Sequence, residues 1–503
     1  MKTTIILTLG LVALASLAFA ADSEPLLDAS YVQRSANQPV RLDPETATAY
    51  QIELPPTVGD DDELSCGGEK VGNIEPAPLD VRSALALATW FDQPDGSSIA
   101  RVELHSVDAT GLRVEIEDLK GLELWIYDPV GRTTLGPYAN PVLSEDGSFW
   151  STIIFGDRIG LEFRTIPGLS KNSALPEILS VAYMFKNFDR EDRWPPPGSC
   201  DEDINCYPAW AGTTEDDAVG IMYFNCEGGN CGQCTGAMLN RTGGDNAPIF
   251  MTARHCISDQ ASASTLIIFW EFETDVCDGT DPDLNTLPRN DGSQLLKTHY
   301  DSEWTLLGLW ENSDATAYLG WDAGYLANGS STTGVSHPGG MSKRVSFGEK
   351  VQDDTCLGAS EWGIEHSLGR TFPGASGSPI YDSSRRVRGT LSCDNRECPD
   401  EAFSYATYGR MDVGFPVIQW YIYNMYNPTY VNDSVAGDPG NDGNSERGNS
   451  TQPFNTVYEG SFCIPSGGTI YIDPGTYSEQ FTLRRPMTLR RWGTSGTVTI
   501  GAP

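Results

Sequence analysis

With 503 residues and a formal net charge of −36, the chain is long enough for roughly three domains. It is too acidic to offer the Lys/Arg surface that phosphate contacts require. Nucleic-acid recognition is therefore excluded, whereas solubility in salty surroundings or a preference for basic substrates fits the charge.

Residues 1–20 have the layout of a secretory signal. Met1-Lys2 is a short charged start, Ile5 to Ala18 is almost wholly apolar, and Ala18-Phe19-Ala20 is a small-x-small cleavage site. No later apolar run approaches the ~20 residues of a membrane span, so export and release are expected. The twelve cysteines suit an oxidising compartment.

Residues 21 to about 80 read as irregular, with Asp60-Asp61-Asp62-Glu63 as a charge run. From about 99 to 186 the apolar alternation predicts strands at Arg101–His105, Leu112–Asp118, Leu122–Asp128, Phe149–Phe155, Arg158–Thr165 and Leu179–Lys186. Runs spaced about ten residues apart predict a small β-sandwich. The stretch Asp189-Arg190-Glu191-Asp192-Arg193-Trp194-Pro195-Pro196-Pro197 ends that region, since three prolines enter neither a helix nor a central strand. It is an expected site of proteolytic nicking. The predicted organisation is a signal at 1–20, a propeptide at 21–193, a catalytic domain at 194–428, a Gly/Asn/Asp-rich linker at 429–450 and a C-terminal module at 451–503. That module has β runs at Thr469–Ile472, Phe481–Leu483, Met487–Leu489 and Thr497–Ile500 with turns such as Asp473-Pro474-Gly475 between them. Such strand–turn units stack as short β-helix coils.

Three stretches of the central region suggest chemistry. In Phe250-Met251-Thr252-Ala253-Arg254-His255-Cys256, an apolar strand end delivers a histidine beside a cysteine. In Pro373-Gly374-Ala375-Ser376-Gly377-Ser378-Pro379-Ile380-Tyr381, a serine framed by glycines leads into a strand. Gly374 can take a backbone conformation closed to other residues, which lets its N–H and that of Ser376 converge on one oxyanion. Tyr300-Asp301-Ser302-Glu303-Trp304-Thr305-Leu306-Leu307 runs a carboxylate into an apolar strand, where a buried acid would fix a histidine tautomer. Taken singly, each is also an ordinary structural histidine, a Gly/Ser turn or an acidic strand start. Their order of His, acid, Ser differs from the hydrolases that run Ser, acid, His.

These residues resemble the trypsin-like serine proteases and, more narrowly, the bacterial lysyl endopeptidase branch. Cys234-Thr235-Gly236-Ala237-Met238-Leu239, Thr252–Cys256, Gly320-Trp321-Asp322, Ser336-His337-Pro338, Gly374–Tyr381 and Tyr408-Gly409-Arg410 carry the likeness across about 198–425. The resemblance implies a mainly β fold: a double six-stranded β-barrel after the sandwich and before the β-helix-like module. It also implies catalysis by His255, Glu303 and Ser376, an oxyanion hole at Gly374 and Ser376, and a substrate pocket at Ser392, Ala406 and Thr407. Cys234–Cys256, Cys206–Cys277 and Cys200–Cys398 are its implied disulfides, with Cys226–Cys231 and Cys356–Cys393 assigned to the remaining cysteines and Cys66 and Cys463 left over. Cys226, Cys231 and Cys234 also have a spacing that admits zinc, but Cys234 is better used in the bridge. No metal or organic cofactor is required.

Three positions depart from the branch. Its catalytic aspartate is matched by Glu303, with Asp301 as the alternative acid. The acidic residue at its pocket base is matched by Ala406, which cannot pair with a buried lysine ammonium, so a small or apolar side chain is expected at the cleavage site. Its histidine at the pocket edge is Ser392 here, while His337 reads as structural. The expectation is a secreted, monomeric bacterial serine endopeptidase made as a zymogen, acting on proteins or peptides. Its C-terminal module would serve surface or polysaccharide attachment, or else be a linker-attached unit that packs without binding. A catalytically inactive trypsin-like binding or adhesion protein is the alternative. A carbohydrate-active module would have only Asp473 and Glu479 to work with.

Overall fold

The computed structural model describes residues 27–28, 48–55, 68–185, 200–479 and 483–501, apart from interruptions at 131–132, 145, 167–174, 227, 243–246, 312, 316, 396–403, 424–426, 435–446, 466 and 484–485. The signal segment, the Asp60–Glu63 charge run, the Asp189–Pro197 break, Cys66 and Cys398 lie outside these residues. Among the described residues no helix is long and apolar enough to cross a membrane.

The N-terminal region is two packed sheets. In the strand Gly111–Glu117, Leu112, Val114 and Ile116 are fully buried, and Leu122, Leu124 and Ile126 of Leu122–Tyr127 meet them in one core. Alternating apolar residues thus form the inner face of each sheet, as the period of two requires. Two expectations fail in detail. The Phe149–Phe155 run is two short strands, Ser148–Trp150 and Ile154–Phe155. Between them, Ser151 Oγ accepts from Val114 N at 3.0 Å, a side chain standing in for the ladder carbonyl. Residues before 80 are not irregular throughout: Tyr50–Glu53 joins one sheet and Glu69–Pro76 the other, followed by helical turns at Leu79–Arg82 and Ala84–Leu87. Isolated apolar residues among charges concealed them.

Glu69–Pro76 also connects the two halves of the molecule. One edge pairs with Ile178–Met184 and the other with Asn230–Met238, giving a continuous twelve-stranded sheet. Val71, Ile153, Ala182 and Met184 pack there against Ile221, Tyr223, Ile267 and Phe269. Buried Arg113 donates across the seam to Thr265 O at 2.9 Å, and Arg289 donates back to Ile153 O at 3.1 Å. Asn285 exchanges two hydrogen bonds with the Phe155 backbone, at 2.8 and 2.7 Å.

The region from Cys200 to Arg410 is mainly β. Its second half is a closed barrel of Ser331–Ser336, Arg344–Cys356, Ala359–Leu368, Tyr405–Arg410, Val387–Asp394 and Pro379–Asp382. Its first half is the remainder of the twelve-stranded sheet, where Asn230–Met238 turns its N-terminal residues to Glu69–Pro76 and its last ones to Ile249–Ala253. Disulfides join Cys206–Cys277, Cys234–Cys256 and Cys356–Cys393. The assignment of Cys226 to Cys231 is corrected: Cys226 is disulfide-bonded, while Cys231 is a buried free thiol, as is Cys463. With Cys226 and Cys234 oxidised, the three cysteines offer no thiolate set for zinc.

After the helix Met411–Ile422, the strands Thr429–Val431, Thr469–Ile472 and Thr488–Arg491 stack in parallel, with Thr429, Ile470 and Leu489 in register. The stretch expected to open a linker at 429 is thus a strand. The coils do not hang free of the catalytic region either. Phe454, Val457, Phe462 and Ile470 belong to the same core as Leu306 and Trp304, and Tyr458 Oη donates to Gly308 O at 3.1 Å. Glu479 is occupied structurally, accepting from the Val457 and Tyr458 amides at the start of Val457–Cys463.

Candidate active site

The strand Ile249–Ala253 is buried along its whole length and ends two residues before His255. Cys256, tied to Cys234 on the neighbouring strand, pins the turn that follows. Closing a loop of this size restricts the unfolded chain by about 3 kcal/mol.

Opposite it, Ile249–Ala253 pairs with Trp304–Leu309 in the register Ala253↔Trp304, which brings Glu303 beside His255. Glu303 Oε2 accepts from His255 Nδ1 at 2.9 Å and from His255 N at 3.1 Å. Glu303 is buried and its backbone is left-handed, with φ 53°, an uncommon state for a side-chain-bearing residue. Arg254 N donates to Glu303 O at 3.0 Å and holds that backbone in place. Asp301 sits on the preceding 3-10 turn, exposed, and makes no bond to His255.

Ser376 arrives from the closed barrel, on the loop between Ala359–Leu368 and Pro379–Asp382. Thr235 N donates to Ser376 O at 2.9 Å, and Thr235 Oγ1 and Gln233 Nε2 donate to Gly374 O at 2.9 and 3.1 Å. Gly377 fits so closely against the histidine strand that a Cβ would stand 2.2 Å from Thr252 Oγ1 and 2.8 Å from Ala253 N. The serine segment is therefore docked on the two strands that carry His255 and the Cys234 bridge. Among the described residues no hydrogen bond joins the Ser376 hydroxyl to His255, a bond that commonly tightens only with substrate.

The backbone around the serine has an uneven hydrogen-bond pattern. Ala375 N, Gly377 N and Ser378 N donate to Phe372 O, Leu391 O and Ala375 O. Gly374 N and Ser376 N donate to no described residue. Gly374 has φ +94°, and a Cβ there would meet Gln233 Oε1 at 2.1 Å. Two donors left open among the described residues, the amide of a partly exposed serine and that of the glycine two positions before it, can receive a developing negative charge.

The remaining expected residues divide between two faces. Ala406 is fully buried in the barrel core with Trp362, Ile364, Ala375 and Leu391. Ser392 and Thr407 instead face Glu361, an acid that the sequence did not single out. His337 is fully buried, stacked on Phe272 at 5.9 Å, with its pKa lowered to about 3 by desolvation. That is a packing role. Gln233, whose amide holds Gly374, was also missed, since nothing local distinguishes it from any strand glutamine.

Comparison with known proteins bears on this region. Residues 196–409 match the family described as lysyl endopeptidase, C-terminal domain. The chain is 28% identical over 350 residues to the lysyl endopeptidase of Pseudomonas aeruginosa, a match spanning 62% of this chain and 74% of that one. Among solved structures it overlaps an HtrA-type protease, AlgW, with tripeptide (16% identity, TM-score 0.30, 43% of this chain and 64% of that one). It also overlaps a serine endoprotease from Yersinia pestis (11%, 0.29, 41% and 62%). In both structures the overlap spans less than two thirds of the neighbour's chain.

Proposed function

Since residues 196–409 form a serine-type endopeptidase domain similar to lysyl endopeptidases, we propose that the chain is a secreted serine endopeptidase working through an acyl-enzyme. His255 takes the proton of Ser376 as its oxygen attacks a peptide carbonyl. Glu303 holds the imidazole by its Nδ1–H and stabilises the imidazolium, and the Gly374 and Ser376 amides receive the oxyanion. His255 then returns the proton to the leaving amine, and water, deprotonated by the same base, releases the acyl group. The observation that carries this reading is the buried Glu303 bonded at 2.9 Å to His255, with Ser376 docked on the adjacent strands. The lysine preference of the relative's name does not carry over, because Ala406 offers no charge for an ammonium; a small or apolar side chain is favoured.

Residues 21–193 act as a propeptide in this reading. Support comes from Glu69–Pro76, which lies along Asn230–Met238 at the edge nearest the site. A Cβ on Gly68 would stand 2.6 Å from Sγ of Cys234, the partner of the cysteine that follows His255. Gly68 thus lies against the disulfide that pins the turn after His255. Incubating a denatured protein substrate with wild type and His255→Ala tests the activity: fragments are expected from the first alone, and equal cleavage by both would contradict it.

A further inference from the structure

Glu361 is a fully buried carboxyl that the mechanism above does not use. It lies on Ala359–Leu368, whose Trp362 and Ile364 enter the barrel core. The period of two puts Glu361 on the opposite face, in the seam against the first half. Its cross-strand neighbours are Asp354 and Gly409. Gly409 touches the turn that presents the catalytic acid: a Cβ there would stand 2.0 Å from Ser302 O and 3.2 Å from Glu303 Cβ. On the outer side, the sulfurs of Cys356–Cys393 lie within 4.8 Å of the carboxyl. Because those sulfurs are bonded to each other, the group is not a metal site.

The polar surroundings of Glu361 are incomplete. The Ser392 and Thr407 hydroxyls face it and favour its charged form. Neither closes a bond of ordinary geometry, and among the described residues both carboxyl oxygens are buried without a partner. Leaving a buried carboxyl so is costly and calls for a functional reason. Among the described residues, the charged and titratable groups around it are Glu303, His255, Asp354 and Tyr405, the last two joined by a hydrogen bond between their side chains.

We propose that Glu361 is a positioning residue of the catalytic centre, a second carboxyl behind Glu303 whose charge state sets the basicity of His255. Burial first, then the Glu303 charge, pushes its pKa up to about 7. Below that pH, Glu303 alone faces the imidazole. Above it, Glu361 gives its proton to solvent and a second negative charge favours the imidazolium that forms as Ser376 attacks. The inference rests on the reading of His255, Glu303 and Ser376 as the active site.

The test compares wild type with the isosteric Glu361→Gln, following kcat/KM on a small uncharged ester and the acylation rate by a fluorophosphonate from pH 5 to 9. Wild type is expected to show two ionisations, the second near 7 and raising the rate. Glu361→Gln is expected to lose the second, fall about tenfold above pH 8, and lower the His255 titration seen by NMR by about one unit. Glu361→Asp should restore a second ionisation. Superimposable profiles and an unmoved His255 titration overturn the proposal, even if thermal stability changes. Wild type that reacts with neither reagent overturns the active-site reading instead.

Discussion

Glu303 reaches His255 through two hydrogen bonds, one from the ring Nδ1 at 2.9 Å and one from the main-chain N at 3.1 Å, while its own backbone stands at φ 53°. A glutamate has one methylene more than an aspartate, and here its carboxylate meets the imidazole from a left-handed backbone.

Two substitutions separate the charge of Glu303 from its reach. Glu303→Gln keeps the shape but removes the charge and favours the wrong tautomer, so kcat is expected to fall about 10⁴-fold. Glu303→Asp keeps the charge on a shorter arm, and misplacement of about an ångström is expected to cost about a hundredfold. Steady-state kinetics on a peptide substrate measures both, and the aspartate variant should be the more active.

Gly374 is a position where one added methyl should damage catalysis. Gly374→Ala places a Cβ 2.1 Å from Gln233 Oε1 at a φ that alanine disfavours, turning the N–H away from the oxyanion. The expected loss is about 10²–10³-fold in kcat with little change in KM. Adding Gln233→Ala removes the clash but not the strain, so only partial recovery is expected.

Acid should weaken the fold through its buried histidines. Burial lowers the pKa of His337 to about 3 and that of His366 to about 4, below the ordinary value near 6.5. The unfolded chain therefore binds more protons than the folded one as the pH falls from about 6.5. Stability is lost progressively over that window, at up to about 1.4 kcal/mol per pH unit for each histidine. Denaturant midpoints from pH 7 to 4 should show a shallower slope for His366→Gln than for wild type.

The seam between the N-terminal sandwich and the catalytic region is expected to outlast cleavage of the chain between them. Arg113 spans it, bonded to Ser151 O and Thr265 O at 3.0 and 2.9 Å. After cleavage within residues 186–199, the two pieces should co-elute on gel filtration with low peptidase activity. Arg113→Met should release the smaller piece and raise that activity.

What the sequence disclosed here was mostly local. Ser376 and His255 stand in short motifs whose glycines and apolar strand ends have their own physical reasons, and the strand Arg158–Thr165 follows from simple alternation. Glu303 was legible only as a choice between two acids, because a backbone φ is not written in residue order. Glu361 lay hidden because it is one of two acids in a mixed strand, and its meaning depends on Gly409 and Glu303, far away in the chain. Cys226 was assigned to the wrong partner for the same reason: spacing does not determine connectivity. Glu69–Pro76 lacks the apolar density of a central strand, since the neighbours on both of its edges supply what it does not.

The most direct test of Ser376 as nucleophile is covalent labelling by a fluorophosphonate probe of the properly folded, processed protein, with the adduct located by mass spectrometry. One adduct on Ser376 in wild type is expected, with none in Ser376→Ala and strong slowing in His255→Ala. Absence of labelling in folded, fully processed wild type would contradict the catalytic reading and favour an inactive binding protein built on the same barrel.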